Sequence, residues 1–428
     1  MKRREFCGRV LGASAALTAR SGWSRSAGPP GNSRPRVVVV GGGCGGATAA
    51  KYLRLLSDHA IEVWLIEPQP RYVSSPLSNR VIDGSLELAD LTRSYDSLVA
   101  CHGVRWLRER VVAIDPTARR VRLSGGVTLP YDKLVLSPGI DVMTGAIEGL
   151  EAARAQGRIL QSWSAGRETV QLNRQLMAMR DGGVFAITIP EAPFRCPPAP
   201  YERASLVAAF CRRYKPKSKV LVLDANADVV AMGSLFKPAW RELYGDILEY
   251  RNHHQVVAVD ARTLTVRFDV QEDVRADVLN VLAPVRAGVV AQQAGLANVN
   301  ARWCAVAFPS FESTALPHVH VIGDSVQGAP MMPKSGHMAN GQAKVAAAAI
   351  VASLLGRPVE APPVMSNACY SFVSPQAAMH SCAVYAYVSE AATFKLVPGA
   401  GGHSDSASPL EAVYAMAWAR NFWNDMLG

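Results

Sequence analysis

Short β-branched runs alternate with helical stretches along this 428-residue chain. Arg36 to Val40 enters Gly41-Gly42-Gly43-Cys44-Gly45-Gly46, a helical segment follows to about Leu56, and Ile61 to Glu67 is a second strand ending in an acid. A GxGxxG that follows a strand, opens a helix and precedes such an acid predicts a dinucleotide-binding βαβ unit. Gly41, Gly43 and Gly46 would let the backbone approach a pyrophosphate, the helix start would stabilise its charge, and Glu67 would accept from ribose hydroxyls. Lys133 to Leu136 is a further strand, running into Ser137-Pro138-Gly139, and His318 to Ile322 is another, running into Gly323-Asp324. The fold class expected is α/β, with two Rossmann-like dinucleotide-binding domains and a smaller α+β C-terminal domain.

The middle of the chain repeats the pattern with a difference. Gly183 to Ile189 and Lys219 to Leu223 are strand-like, but the second runs into Asp224-Ala225-Asn226-Ala227-Asp228, where a nicotinamide-binding repeat would carry glycines. Side chains and two acids there disfavour a pyrophosphate, so the second domain is expected to keep the fold and lack a nicotinamide cofactor. In a two-part flavin fold, an Asp at the end of a strand commonly bonds the ribityl chain, which is the role expected of Asp324. The boundaries expected are 34–150 and 296–357 for two parts of an FAD-binding domain, 151–295 for the second Rossmann-like domain, and 358–428 for the C-terminal domain. Val345 to Leu355 is Ala-rich and reads as a buried helix. In the last helical stretch, Leu410 to Leu427, Tyr414, Trp418 and Phe422 fall on one face and read as packing against this protein or a partner.

The N-terminus reads as an address. Lys2-Arg3-Arg4-Glu5-Phe6, a weakly apolar run from Val10 to Ala19 and a Ser/Gly/Pro-rich stretch fit a twin-arginine signal peptide over residues 1–33, and hence a periplasmic protein. Those residues carry six cations against one acid, so +5 of the formal +10 leaves with them. The remaining excess is modest and nucleic acid is not an expected partner. No apolar run approaches the ~20 residues that span a bilayer, so no integral membrane segment is expected.

Two of the eight cysteines carry candidate chemistry. Cys196 lies in Phe194-Arg195-Cys196-Pro197-Pro198 and Cys369 in Asn367-Ala368-Cys369-Tyr370-Ser371; neither belongs to a CxxC pair, so thioredoxin-type and zinc chemistry are not indicated. Cys101, Cys211, Cys304 and Cys382 read as core thiols, and the His253-His254 and His318/His320 pairs lack a third ligand, so no metal is expected.

These segments together resemble the flavoprotein subunit of flavocytochrome c sulfide dehydrogenase over nearly all of the chain after residue 33. The resemblance rests on Val37 to Gly43 through Tyr52, Pro193 to Pro198 through Ser205, Val321 to Asp324, Pro333-Lys334-Ser335-Gly336, Lys344 to Ala349, and Asn367 to Ser371. It implies a glutathione-reductase-like arrangement, FAD as cofactor, a redox-active Cys196–Cys369 disulfide over the flavin, sulfide as substrate, and a c-type cytochrome subunit as heterodimer partner and electron acceptor. The related sulfide:quinone oxidoreductases, which deliver to membrane quinone, are the alternative; a non-catalytic flavin-bearing subunit of a sulfur-oxidation complex is another. Glu202 is the nearest candidate to move the substrate proton, or else a partner of Arg203 or another surface cation. Gly139, Gly323 and Asp324 complete the flavin site, and Lys334, before a helix start aimed at the ring, either adds charge or is solvated.

One departure bears on the cofactor. Family members link FAD covalently through a cysteine just before a Leu-Ser-Asn segment. Here that stretch is Ser74-Ser75-Pro76-Leu77-Ser78-Asn79, and the matching Ser75 cannot form a thioether. Cys44 reads as a small residue at a tight helix start, so FAD is expected to be non-covalent.

Overall fold

Val37, Val38 and Val39 have no exposed surface, because strand Arg36–Val40 is the middle of a sheet covered on both faces. A computed structural model describes residues 34–358 and 361–428; the twin-arginine segment expected at 1–33 lies outside the described residues. Five parallel strands run in the order Val319–Val321, Lys133–Leu136, Arg36–Val40, Glu62–Ile66, Arg105–Leu107. Short antiparallel strands at Val306–Ala307 and Glu312–Ser313 complete this seven-stranded sheet. Arg36–Val40 is flanked by Glu62–Ile66 on one side and Lys133–Leu136 on the other, so the chain reverses its winding there. The crevice at that switch point opens between Gly41 and Ser137, where α/β sheets bind ligands.

A second sheet is built the same way from Leu248–Arg251, Lys219–Asp224, Val184–Ile189 and Val278–Val281, all parallel. Here the topology relocates one expectation. Val184–Ile189, not Lys219–Asp224, is the strand flanked on both sides by the winding reversal, so the phosphate-loop position is Pro190 to Pro198. That loop contains no glycine and carries Cys196. Asp224 instead stands where Glu67 stands in the first domain, at the end of the second strand. It is buried and accepts from Tyr201 Oη (2.7 Å), Tyr250 Oη (3.1 Å) and the Asn226 backbone N–H. The nicotinamide fingerprint is lacking, at a different place from the one the sequence suggested.

The C-terminal part is a three-stranded antiparallel sheet, Val364–Ser374, Ala377–Val388 and Thr393–His403, closed by helix Pro409–Leu427. That helix begins with Ser408 accepting from the Glu411 N–H and Pro409 in its first turn, the usual way to satisfy a helix start. Helix Gly336–Leu355 is longer than the apolar run in the sequence suggested. At 20 residues it is, among the described residues, the one helix long and apolar enough by length and composition to cross a membrane; half of its apolar stretch is buried inside the protein. It packs on helix Cys44–Leu56, and their N-termini converge.

Candidate active site

The glycine loop sets the first wall. Gly41 has φ +96°, a conformation side chains rarely adopt, and a Cβ on Gly46 would lie 1.7 Å from the Gly41 carbonyl oxygen. Gly43 faces open space, with nothing within 4 Å of the position its Cβ would take, and no side chain caps the helix that starts at Cys44. The free N–H groups of that turn face a cleft of about 1350 Å³ lined by Gly41, Gly43, Glu67, Ser75, Gly139, Gly323 and Asp324. Glu67 is fixed at the cleft by the Gly42 and Gln69 N–H groups, both at 2.7 Å, and each oxygen keeps a lone pair for a further donor. Asp324 pairs through Oδ2 with Arg195 at 3.4 Å, while its buried Oδ1 has no partner. An orphaned buried carboxylate oxygen, open phosphate-loop N–H groups and a Cβ-free approach at Gly43 together fit FAD.

The cleft adjoins a second cavity of about 950 Å³, and the cysteines meet there. Cys196 reaches it from the loop after Val184–Ile189, at the start of helix Ala199–Tyr214. Its φ is +48°, its N–H donates to the Lys334 carbonyl at 2.6 Å, and its own carbonyl accepts from Ala199. Three prolines around it (Pro197, Pro198, Pro200) suit a helix first turn, where backbone N–H groups have no intrahelical partner. Cys369 arrives from strand Val364–Ser374, its sulfur accepting from Asn367 Nδ2 at 3.3 Å. Asn367 in turn accepts from Ser335 Oγ at 2.5 Å, and Ser335 caps helix Gly336–Leu355. Both cysteines are free thiols lining one cavity. Burial pushes both thiols up from the ordinary range, Cys196 far up with the nearby Cys369 adding to it, and Cys369 against the lowering pull of Asn367 and Ser335.

Glu202 lies inside that cavity and is not a surface residue. It is 7% exposed, accepts from the Phe372 N–H at 2.9 Å and from Asn79 Nδ2 at 2.7 Å, and makes no ion pair with Arg203. Burial pushes its carboxyl up to about 7, against the lowering pull of those two donors. Lys334 is not freely solvated either. Its ammonium donates to the Asp324 and Val326 carbonyls and sits 3.7 Å from the Trp303 ring centroid, and burial lowers it to about 8.

Several lining residues escaped the sequence. Cys44, expected only as a small residue at a tight helix start, faces this cavity too, because the two helix starts converge: a Cβ on Gly336 would lie 3.1 Å from its sulfur, which bonds Tyr72 Oη at 3.3 Å. His337 accepts the Ala368 N–H on Nδ1, and Trp418 lines the cavity while stacking on Phe422 at 5.1 Å. Tyr414, the first residue of the aromatic stripe, is exposed. Ser371 is buried at the cavity wall and its Oγ has no partner. It shares a strand face with Cys369 two residues earlier, a relation that period-two alternation could have signalled.

Comparison with known proteins bears on this architecture directly. The family described as sulfide dehydrogenase (flavocytochrome c) flavoprotein chain, central, matches residues 169–283, and flavocytochrome c sulphide dehydrogenase, flavin-binding, matches 361–427. Pyridine nucleotide-disulphide oxidoreductase matches 35–183. The sulfide dehydrogenase (flavocytochrome c) flavoprotein chain of Chlorobaculum thiosulfatiphilum is 61% identical over 46 residues, which are 11% of this chain and 94% of that sequence. The chain belongs to the flavocytochrome c sulfide dehydrogenase flavoprotein family. Members of this family are flavin-binding oxidoreductases. Mitochondrial sulfide:quinone oxidoreductase of Mus musculus is similar at 27% identity over 304 residues, 67% of this chain and 65% of that one. The match to the Dictyostelium discoideum protein of the same name spans 62% of its length, so the chain spans under two thirds of each of these two relatives. The structure of the sulfide:quinone oxidoreductase from Aquifex aeolicus superposes with a TM-score of 0.75 at 18% identity, covering 92% of this chain and 91% of that one, a likeness of fold.

Proposed function

We propose that this protein is an FAD-dependent sulfide dehydrogenase that works through a reversible Cys196–Cys369 disulfide. The observation that carries the reading is the single cavity lined by Cys196, Cys369 and Glu202 beside the dinucleotide cleft. Gly41, Gly43 and Gly46 would hold the pyrophosphate, Glu67 the adenosine ribose, Asp324 the ribityl chain, and the Gly336–Leu355 helix start the ring. FAD, when bound, supplies the acceptor for the electron pair that dithiol oxidation releases.

Hydrosulfide, a soft nucleophile, attacks the disulfide; the S–S bond breaks, a persulfide forms on one cysteine and the other leaves as thiolate. A second hydrosulfide takes the outer sulfur away as hydrodisulfide, which leaves two reduced cysteines. Re-forming their disulfide releases two electrons and the thiol protons. Glu202, a carboxyl titrating near neutrality at the cavity wall, is the group suited to take a proton from the thiols. Cys369, tied through Asn367 and Ser335 to the helix start, suits the flavin-facing role, and Cys196 the persulfide.

Ser75 at the cleft leaves FAD non-covalent. A c-type cytochrome is the acceptor we favour, with the family descriptions and the Chlorobaculum relative in support; quinone is the second reading, favoured by the mouse and Dictyostelium relatives. Export to the periplasm by the twin-arginine route fits the Lys2-Arg3-Arg4 start. The test is anaerobic addition of sulfide to the FAD-loaded protein. Bleaching of the flavin band by sulfide and not by NADH is expected; a flavin that sulfide leaves oxidised overturns the reading.

A further inference from the structure

Glu202 reaches the cysteine cavity as the last member of a buried chain. Its Oε2 accepts from Asn79 Nδ2 at 2.7 Å, and the same nitrogen donates to the Ala199 carbonyl at 2.9 Å. The other end of that amide, Asn79 Oδ1, accepts from Arg203 Nε at 3.0 Å. Arg203 is buried, yet its remaining donors also go to neutral oxygens: Asn280 Oδ1 (2.7 Å) and the carbonyls of Gln161 (2.9 Å) and Ser162 (2.8 Å). Asn280 is itself fixed by donating to the Leu160 and Gln161 carbonyls.

Buried charges are ordinarily paired, and a guanidinium bonded directly to the Glu202 carboxylate would hold it ionised. Here an amide stands between them, oxygen toward the cation and NH₂ toward the carboxylate. Turning the amide over would set NH₂ against guanidinium and oxygen against carboxylate, so only one orientation is stable. The arrangement steadies the carboxylate through one neutral donor and avoids a full ion pair. We infer that Asn79 and Arg203 are positioning residues which aim Glu202 at the cysteine pair and leave it free to gain and lose a proton. The proton's destination rests on the function proposed above; the relay itself does not.

Other groups face Glu202 as well. Arg80 and Asp83 approach from the Asn79–Ile82 turn, with opposite effects on its charge, and Cys196 and Cys369 stand across the cavity. Arg80 lies over the Phe372 ring at 4.4 Å, whereas the Asn79 amide bonds the carboxylate directly. Asn79→Asp is therefore the informative substitution: it keeps the shape, pairs with Arg203, removes the donor and faces Glu202 with a second carboxylate.

The experiment follows the Glu202 carboxyl by ¹³C NMR in FAD-loaded protein labelled at glutamate side-chain carboxyls, assigned by loss of its signal in Glu202→Gln. The parent signal is expected to titrate near neutrality. Asn79→Asp is expected to raise the midpoint by at least about one pH unit, and Asn79→Ala, which removes the donor to Glu202 together with the acceptor for Arg203 and adds no carboxylate, to raise it less. Thermal unfolding of each variant confirms the fold. A midpoint unmoved in folded Asn79→Asp overturns the inference. Shifted midpoints in a protein whose flavin sulfide never bleaches would uphold the relay and overturn the proposed function.

Discussion

The Cys196 N–H donates to the Lys334 carbonyl at 2.6 Å, binding a loop of the second Rossmann-like domain to the segment that starts helix Gly336–Leu355. Lys334 spends its side chain on the Asp324 and Val326 carbonyls. One residue thus joins the proposed persulfide-bearing cysteine to the strand end proposed to meet the ribityl chain. Ser335, next along, reaches Cys369 through Asn367, so both cysteines hang from one helix start.

Replacing either cysteine by serine should leave the flavin bound and abolish its reduction by sulfide. A loss of at least about 100-fold in the bleaching rate is expected for Cys196→Ser and for Cys369→Ser, because neither serine can form the disulfide that is attacked. Stopped-flow absorbance under nitrogen measures it.

Gly43→Ala and Gly46→Ala should separate ligand approach from fold. A Cβ at 46 meets the Gly41 carbonyl, so the loop must shift and stability should fall by about 1–3 kcal/mol. At 43 the Cβ projects into open cleft; the apoprotein should unfold at the parent temperature while flavin content drops. Flavin-to-protein ratio and thermal unfolding of the apoproteins check both.

Stability should fall as pH rises through the neutral range because of Glu202. Its folded carboxyl keeps its proton up to about pH 7, whereas the ordinary group releases it at 4.5. Between those values the native state binds more protons than the unfolded one, so this contribution is full below about 4.5 and lost above about 7. It amounts to ~3 kcal/mol. Denaturant titrations at pH 4 and pH 8 should show that difference in the parent and its loss in Glu202→Gln.

Acid precipitation should release the flavin into the supernatant, because Ser75 offers no thiol for a thioether. Ser75→Cys, at the same cleft position, should retain flavin on the precipitated chain. Fluorescence of the two fractions decides it.

Asp224→Ala should be costly without opening a nicotinamide site. It would strand the buried Tyr201 and partly buried Tyr250 hydroxyls, a loss of about 2–4 kcal/mol. NADH should still leave the flavin oxidised, since the Pro190–Pro198 loop is unchanged. Thermal unfolding and a flavin absorbance scan with NADH check the two parts.

Much of the frame was legible because local chemistry announces it. The β-branched run before Gly41, the helix to Leu56, strand Lys133–Leu136 and helix Pro409–Leu427 follow from periodicity and turn residues over a few positions. What failed was register between distant segments. The sequence put the vacant nicotinamide loop at Asp224, since strand order in a sheet is invisible to local pattern; pairing of Val184–Ile189 with both neighbours moved it to the Cys196 loop. Cys44 looks in sequence like no more than a small residue at a tight helix start, because that start cannot be seen to meet another, 292 residues further on at Gly336.

By itself the sequence determined the βαβ starts, the glycines where backbone must pass backbone, and which cysteines lie outside any local pair. Those follow from φ preferences and side-chain volume over a handful of residues. Only the tertiary structure decided that Cys196 and Cys369 share a cavity, that Glu202 is buried there with its proton held to near neutrality, and that Asn79 separates it from Arg203. The reason is physical: burial and hydrogen bonding set a group's charge, and both depend on segments more than a hundred residues apart folding onto one another.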